Sequence, residues 1–157
     1  MVNYATELRR RVIRPTLEEL DVREVAAVDC LAACALLTGQ FGEEDGAGLG
    51  LYRIAPAQHR RVWDGYLAFR PELASTVRGM ASQHQFLQDP DRELATNLAY
   101  ATAIAWLLIQ ISGQALPASD DIEGLVRLWQ RVFAARPAAA AETRRACDWL
   151  RRQPLAA

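Results

Sequence analysis

The chain has 157 residues and a formal net charge of −1, with 51% hydrophobic and 24% charged residues. This composition excludes an intrinsically disordered protein, and the length suits one domain that buries a core without metal or disulfide support. A charge so close to zero gives no general attraction to nucleic acid or to an anionic membrane. We therefore expect a single domain over residues 1–157 that has no nucleic-acid partner.

Cysteine and histidine usage bears on metal sites and on the compartment. Cys30 and Cys34 lie four residues apart in one predicted helix, where a disulfide would be poorly formed, and a third cysteine has no obvious mate. We interpret them as small buried apolar residues in a reducing compartment. The two histidines, His59 and His84, lie in no Cys/His spacing that a metal requires, so no metal or cofactor is expected.

Neither end of the chain nor its interior predicts export or membrane insertion. The first ten residues lack the apolar region of a signal peptide. The longest apolar run, residues 99–109, is too short to cross a bilayer. We expect no signal peptide and no membrane span.

The first predicted helical region contains a proline. Leu8, Val12, Leu17 and Leu20 recur at helical spacing on either side of Pro15. Proline removes one helical hydrogen bond and clashes with the preceding turn, so it either kinks a long helix or begins a new one. Both arrangements fit the sequence.

The next predicted helix, over about residues 22–37, is the centre of the fold. Asp29 is its only charged residue from Val25 to Leu37, and a helix without a polar face is a buried one. Asp21 and Glu24 predict a capping box at its start. Thr38 and the glycine that follows it predict its end.

A glycine-rich segment follows this helix. Five of the nine glycines lie within residues 39–50, which predicts a loop that approaches other backbone or a ligand closely. Leu49, Leu51 and Ile54 then predict a short strand or hairpin between Gly46 and Ile54, before Pro56 begins a helix. Glu43, Glu44 and Asp45 read as a solvated turn.

The rest of the chain predicts further helices, about seven in all. Apolar stripes favour helices over residues 57–69 and from Pro71 onward. Asp89 and Pro90 predict the start of a helix that carries Asn97. Asp120 and Glu123 predict a cap for the next helix, and the segment after residue 137 reads as a final packing helix with a frayed tail.

Residues 50–58, GLYRIAPAQ, resemble the Gly-Leu-Met-Gln-Ile-x-Pro-x-Thr segment of lytic transglycosylases, lysozyme-like enzymes that cut peptidoglycan. The matching residues are Gly50, Leu51, Ile54 and Pro56. Tyr52 stands for the Met, Arg53 for the Gln and Gln58 for the Thr.

A second block, residues 87–108, resembles the Asp-Pro and Asn-Ile-x-x-Gly-x-x-Tyr-Leu helix of the same family. Asp89, Pro90 and Asn97 match, whereas Ala101 replaces the Gly and Ile104 the Tyr. The chain as a whole looks most like the small lysozyme-like proteins of tailed bacteriophages and prophages.

This resemblance implies a mainly α lysozyme-like domain with a central buried helix, one short β-hairpin and a substrate cleft beside the helix end. The family's catalytic glutamate lies at that end, where Thr38 stands here. An alternative alignment gives the role to Glu44, with Glu43 as its neighbour, and requires a helix that continues through Gly39 and Gly42. The Tyr-Asn pair that lines the family's cleft corresponds to Phe133 and Ala134.

The departures fall at chemical positions and the matches at positions that build the fold. This pattern favours a lysozyme-like pseudoenzyme that binds a host or virion protein, or else a peptidoglycan glycan, in the bacterial cytoplasm or the virion. Its expected binding residues are Tyr52, Arg53, Gln83 and Asn97. The alternatives are an active muramidase or lytic transglycosylase that uses Glu44 and an unrelated all-α domain, and the oligomeric state stays open.

Overall fold

The computed structural model describes residues 3–43 and 46–155, and this part of the chain is mainly helical, as predicted. Ten α-helices lie in it, a π-helical segment spans Arg9–Ile13, and a 3₁₀ turn spans Leu67–Phe69. The α-helices are α1 Tyr4–Leu8, α2 Arg14–Glu19, α3 Val25–Phe41, α4 Pro56–Gly65, α5 Pro71–Met80, α6 Gln83–Gln88, α7 Arg92–Thr96, α8 Leu98–Ser112, α9 Ile122–Val132 and α10 Ala140–Arg151.

Helices α1 and α2 are joined without a break by the π-helical segment. Pro15 has no N–H to donate to the carbonyl of Arg11, and its ring would clash with that carbonyl in a regular α-helix. The wider turn avoids this conflict, and the N–H of Arg14 donates to the carbonyl of Arg9. The helix therefore passes through the proline instead of ending there.

Helix α3 is the buried centre of the fold, as the sequence predicts. From Ala27 to Leu37 only Leu36 is even partly exposed. The charge of Asp29 is compensated inside the protein, because its Oδ1 lies 2.5 Å from a guanidinium nitrogen of the equally buried Arg9. This ion pair fastens α3 to the π-helical segment.

Both predicted ends of α3 are wrong. Asp21 lies in a left-handed turn at φ 64°, and the N-cap residue, Glu24, makes no side-chain capping bond. Gly39 lies inside the helix, which continues to Phe41 and is capped by Gly42. The extra turn is held by packing, since Phe41 meets Trp149 of α10 edge-on with 5.6 Å between ring centroids.

The expected hairpin is not confirmed, because residues 46–55 contain one isolated antiparallel bridge, between Leu49 and Ile54. The two residues exchange backbone hydrogen bonds of 2.9 and 3.1 Å. Pro56 begins α4 directly afterwards and leaves no room for a longer ladder. The turn requires Gly50, whose φ is +76° and where an added Cβ would lie 1.8 Å from the carbonyl oxygen of Leu94.

Two later helix starts also differ from prediction. The helix expected from Pro90 is divided at Asn97, whose φ of −121° and ψ of 100° interrupt it between α7 and α8. Asn97 caps α8 by accepting a hydrogen bond from the N–H of Tyr100. At α9 the cap is Asp121 and not Asp120, since its Oδ1 accepts from the N–H of Gly124.

The core is formed where α3, α8 and α9 pack against one another, with α10 and the N-terminal helices around them. Leu155 packs into this core after the last helix, so the frayed tail predicted beyond Pro154 is wrong for that residue. None of the described helices combines the length and apolar content that a membrane crossing needs.

Candidate ligand-binding cleft

A cleft of about 540 Å³ opens beside the C-terminal end of α3. It is lined by the end of α3, by residues 46–58, by the end of α9 and by residues 134–146. Small residues make up much of this lining: Gly42, Gly46, Ala47, Gly48, Ala134, Ala135, Ala138 and Ala146. The narrow side chains leave space in which an extended ligand could approach the backbone.

Thr38 lies at the base of the cleft, at the position that the resemblance assigns to a glutamate. Its side chain is already engaged, because its Oγ1 accepts a 3.0 Å hydrogen bond from the indole N–H of Trp129. Phe133 and Ala134, which stand for the family's Tyr-Asn pair, line the same cleft. Three residues that are far apart in the sequence therefore line one cleft.

Arg136 lies between two acidic side chains of the cleft. Its guanidinium is 3.3 Å from a carboxylate oxygen of Glu43 and 3.4 Å from one of Glu142. The side chains of Arg136, Glu43 and Glu142 are 62%, 50% and 37% exposed, so each pair contributes at most about 1 kcal/mol to stability. The cluster links the segment after α3 to α10.

Gln58 lines the cleft and joins two of the segments that form it. Its Oε1 accepts from the N–H of Ala55, and its Nε2 donates to the carbonyl of Val132, both at 3.0 Å. The side chain thus caps α4 and fastens it to the end of α9.

Of the four residues predicted to bind a ligand, Arg53 alone is among the described residues that line the cleft. Tyr52 is fully buried, and its hydroxyl lies 3.0 Å from that of Thr102. Burial raises the pKa of this phenol well above its ordinary value. Tyr52 supports Phe133 from within the core, with 6.0 Å between the ring centroids, and a ligand in the cleft does not reach it.

Gln83 and Asn97 lie away from the cleft. Gln83 is an exposed residue in the first turn of α6. Asn97 has a structural role, because its amide donates to the carbonyl of Met80 and to Glu93, at 2.8 and 2.9 Å. The predicted catalytic residue, Glu44, lies outside the described residues.

A smaller pocket of about 350 Å³ shares Thr38 and Arg53 with the cleft. It continues from the exposed face of α3 toward Tyr4 and Trp149. Arg53 therefore stands at the junction of two adjacent depressions. A ligand longer than the cleft could extend past it.

A buried polar network that sequence reasoning missed lies beneath α4. The Nδ1 of His59 is 2.8 Å from a carboxylate oxygen of Asp91, and its Nε2 is 2.6 Å from the hydroxyl of Tyr100. The indole N–H of Trp63 donates to the same hydroxyl at 2.8 Å. The spacing of His59 and Trp63 on one helix face was the available signal.

This network resembles a catalytic relay in composition only. The hydroxyl of Tyr100 is at the centre of it, and the residue is fully buried. Burial also raises the pKa of Tyr100 well above its ordinary value, so the phenol stays protonated. The network joins α4, α8 and the turn before α7.

The cysteines and acidic residues offer no metal site in the described ranges. No three His, Cys, Asp or Glu side chains come together there in a way that would hold an ion. Cys30, Cys34 and Cys147 are free and buried, as expected of small apolar residues. Desolvation raises the pKa of the Cys34 thiol well above its usual range, and the neighbouring Cys30 adds to this effect.

No protein-family model, curated protein or solved structure matches the chain.

Proposed function

We propose that this chain is a lysozyme-like binding protein of phage or prophage type that holds its ligand in the cleft and does not cleave it. The observation that supports the proposal is Thr38, the residue that the resemblance aligns with the family's acid. It lies about one turn before the end of α3, lines the cleft and has its hydroxyl bonded to Trp129. An alcohol hydroxyl is far too weak an acid to protonate a glycosidic oxygen near neutral pH.

The chemistry of glycoside cleavage supports the loss of activity. Both the retaining and the inverting route require a carboxylic acid beside the scissile bond, and general acid catalysis contributes roughly 100- to 10,000-fold to the rate. The acids among the described lining residues are Glu43 and Glu142, and both are paired with Arg136.

The form of the cleft favours a protein ligand over a glycan. Sugar rings stack on exposed aromatic faces, but Trp129 and Phe133 of the lining are 6% and 7% exposed, and the partly exposed Phe41 packs against Trp149. The small residues of the lining suit a main chain that lies close to them. We therefore place a segment of a host or virion protein in the cleft, with peptidoglycan as the second ligand to be tested.

The first experiment measures muropeptide release from purified peptidoglycan. Wild type, Glu44→Gln and the control Glu19→Gln should all stay at background, beside an active lysozyme that clears the substrate. Release by wild type that disappears only in Glu44→Gln would overturn the proposal and establish the alternative muramidase.

The second experiment tests the cleft as the binding site. Ala135 is exposed and lines the cleft, whereas Ala141 is exposed on α10 outside it. Ala135→Trp should fill the cleft and abolish retention of the partner from a bacterial lysate, and Ala141→Trp should retain it. Equal retention by both variants would move the site elsewhere.

A further inference from the structure

Arginines outnumber acids among the described residues that line the cleft. The arginines are Arg53, Arg136 and Arg145, and Arg136 forms ion pairs with both described acids, Glu43 and Glu142. Arg53 and Arg145 form no ion pair with any acid of the described residues. A ligand that carries carboxylates can therefore pair with both without displacing a described partner.

The backbone of Arg53 has an unfavourable conformation that its surroundings impose. Its φ of 50° lies in the left-handed region, which is costly for residues other than glycine. Its N–H donates to the carbonyl of Gly50, and its own carbonyl lies so close to Gly48 that a Cβ there would approach it to 2.4 Å. Such conformations persist where the surroundings impose them, and they cluster at binding sites.

The two arginines come from segments that are distant in the sequence. Arg53 is on the segment before α4, at the junction of the cleft and the smaller pocket, and Arg145 is on α10. A planar guanidinium presents paired donors that match the two oxygens of a carboxylate. An extended chain that lies along the cleft would present successive acidic groups to both.

We propose that the ligand of the cleft is an acidic segment of a partner protein, whose Asp or Glu carboxylates are received by Arg53 and Arg145. This inference rests on the proposed binding function and adds the charge of the ligand to it. It is noncovalent, so the measured quantities are affinity and its dependence on salt.

The test uses the full chain, immobilised, to select from a displayed library of random dodecapeptides. Asp and Glu should be enriched in the selected pool. The strongest peptide is then synthesised together with a matched copy in which Asn and Gln replace Asp and Glu, and both are measured by fluorescence anisotropy. The acidic peptide should bind at least about tenfold more tightly, as expected for charge-assisted hydrogen bonds.

The variants Arg53→Gln and Arg145→Gln should each weaken binding of the acidic peptide by about tenfold, and should not alter binding of its amide copy. Arg144→Gln is the matched control, because Arg144 is an exposed neighbour on α10 that does not line the cleft. It should bind as wild type does at the same ionic strength, since both keep the two cleft arginines. Circular dichroism melts of all three variants exclude loss of folding.

The possible outcomes distinguish failure of the acidic-ligand inference from failure of the proposed binding function. The selected peptides could be neutral, with binding that Ala135→Trp abolishes and the arginine variants do not affect. That result would refute the acidic ligand and leave the cleft as the binding site. Selection of no peptide, with soluble muropeptides bound instead, would overturn the protein ligand altogether. Equal losses in Arg144→Gln and Arg145→Gln would show general charge attraction and would also refute it.

Discussion

Replacing Tyr100 with Phe tests the buried network with the smallest possible change. The aromatic ring and its packing are kept, and only the hydroxyl is removed. The Nε2 of His59 lies 2.6 Å from the tyrosine hydroxyl, and the indole of Trp63 donates to the same oxygen. The variant therefore leaves two buried or partly buried polar groups without their partner.

The cost follows from these two groups. A buried polar group left without a partner costs about 1–3 kcal/mol, and Trp63 is partly exposed and regains some hydration. We expect a loss of about 2–4 kcal/mol in the free energy of unfolding. That is a large fraction of the roughly 5–15 kcal/mol that stabilises a typical domain.

Tyr52→Phe is the matched control, because Tyr52 is equally buried but its hydroxyl has one side-chain partner among the described residues, Thr102. Thr102 lies within α8, where its hydroxyl can bond instead to the carbonyl one turn earlier. The control should lose about 1 kcal/mol. Urea unfolding followed by circular dichroism gives both values, and a loss in Tyr100→Phe no greater than in Tyr52→Phe would refute the reasoning.

Three further predictions concern the whole fold. Leu31→Asp places an unpaired charge in the middle of α3 and should abolish soluble expression, and a soluble, cooperatively folding variant would mean that the core is misplaced. The free energy of unfolding should fall above pH 10, because Tyr52 and Tyr100 ionise there in the unfolded chain and have raised pKa values in the folded one. Each tyrosine should lower it by about 1.4 kcal/mol per pH unit. Urea midpoints measured against pH give this slope. The buried thiols of Cys34 and Cys147 should resist a thiol reagent in the native protein and react in denaturant, whereas rapid native labelling would contradict their burial.

The sequence was sufficient to identify the central helix and the helical class, because an uninterrupted apolar segment is stable as a helix only when it is buried. It was not sufficient to place the ends of that helix. Gly39 is a good local stop signal, yet the contact between Phe41 and Trp149 outweighs it. The end depends on a residue that lies on a different helix.

The cleft was predictable only in part, for a related reason. Tyr52 and Arg53 are neighbours, but one points into the core and the other lines the cleft, and no local pattern says which is which. The ion pair of Arg9 with Asp29 and the contacts of His59 with Asp91 and Tyr100 join residues 20, 32 and 41 positions apart. Such pairs are set by the tertiary packing and leave no periodic signal.

Gly50 has a consequence for how the protein can change over time. The residue is fixed by the carbonyl of Leu94 behind it, and any side chain at this site would force the bridged turn away from α7. Selection against substitution would therefore act on Gly50 even if the cleft changed its ligand. A diverged homologue that keeps glycine at this position would share the contact with α7. The residue that such a homologue has at the position of Arg53 would instead depend on what its cleft binds.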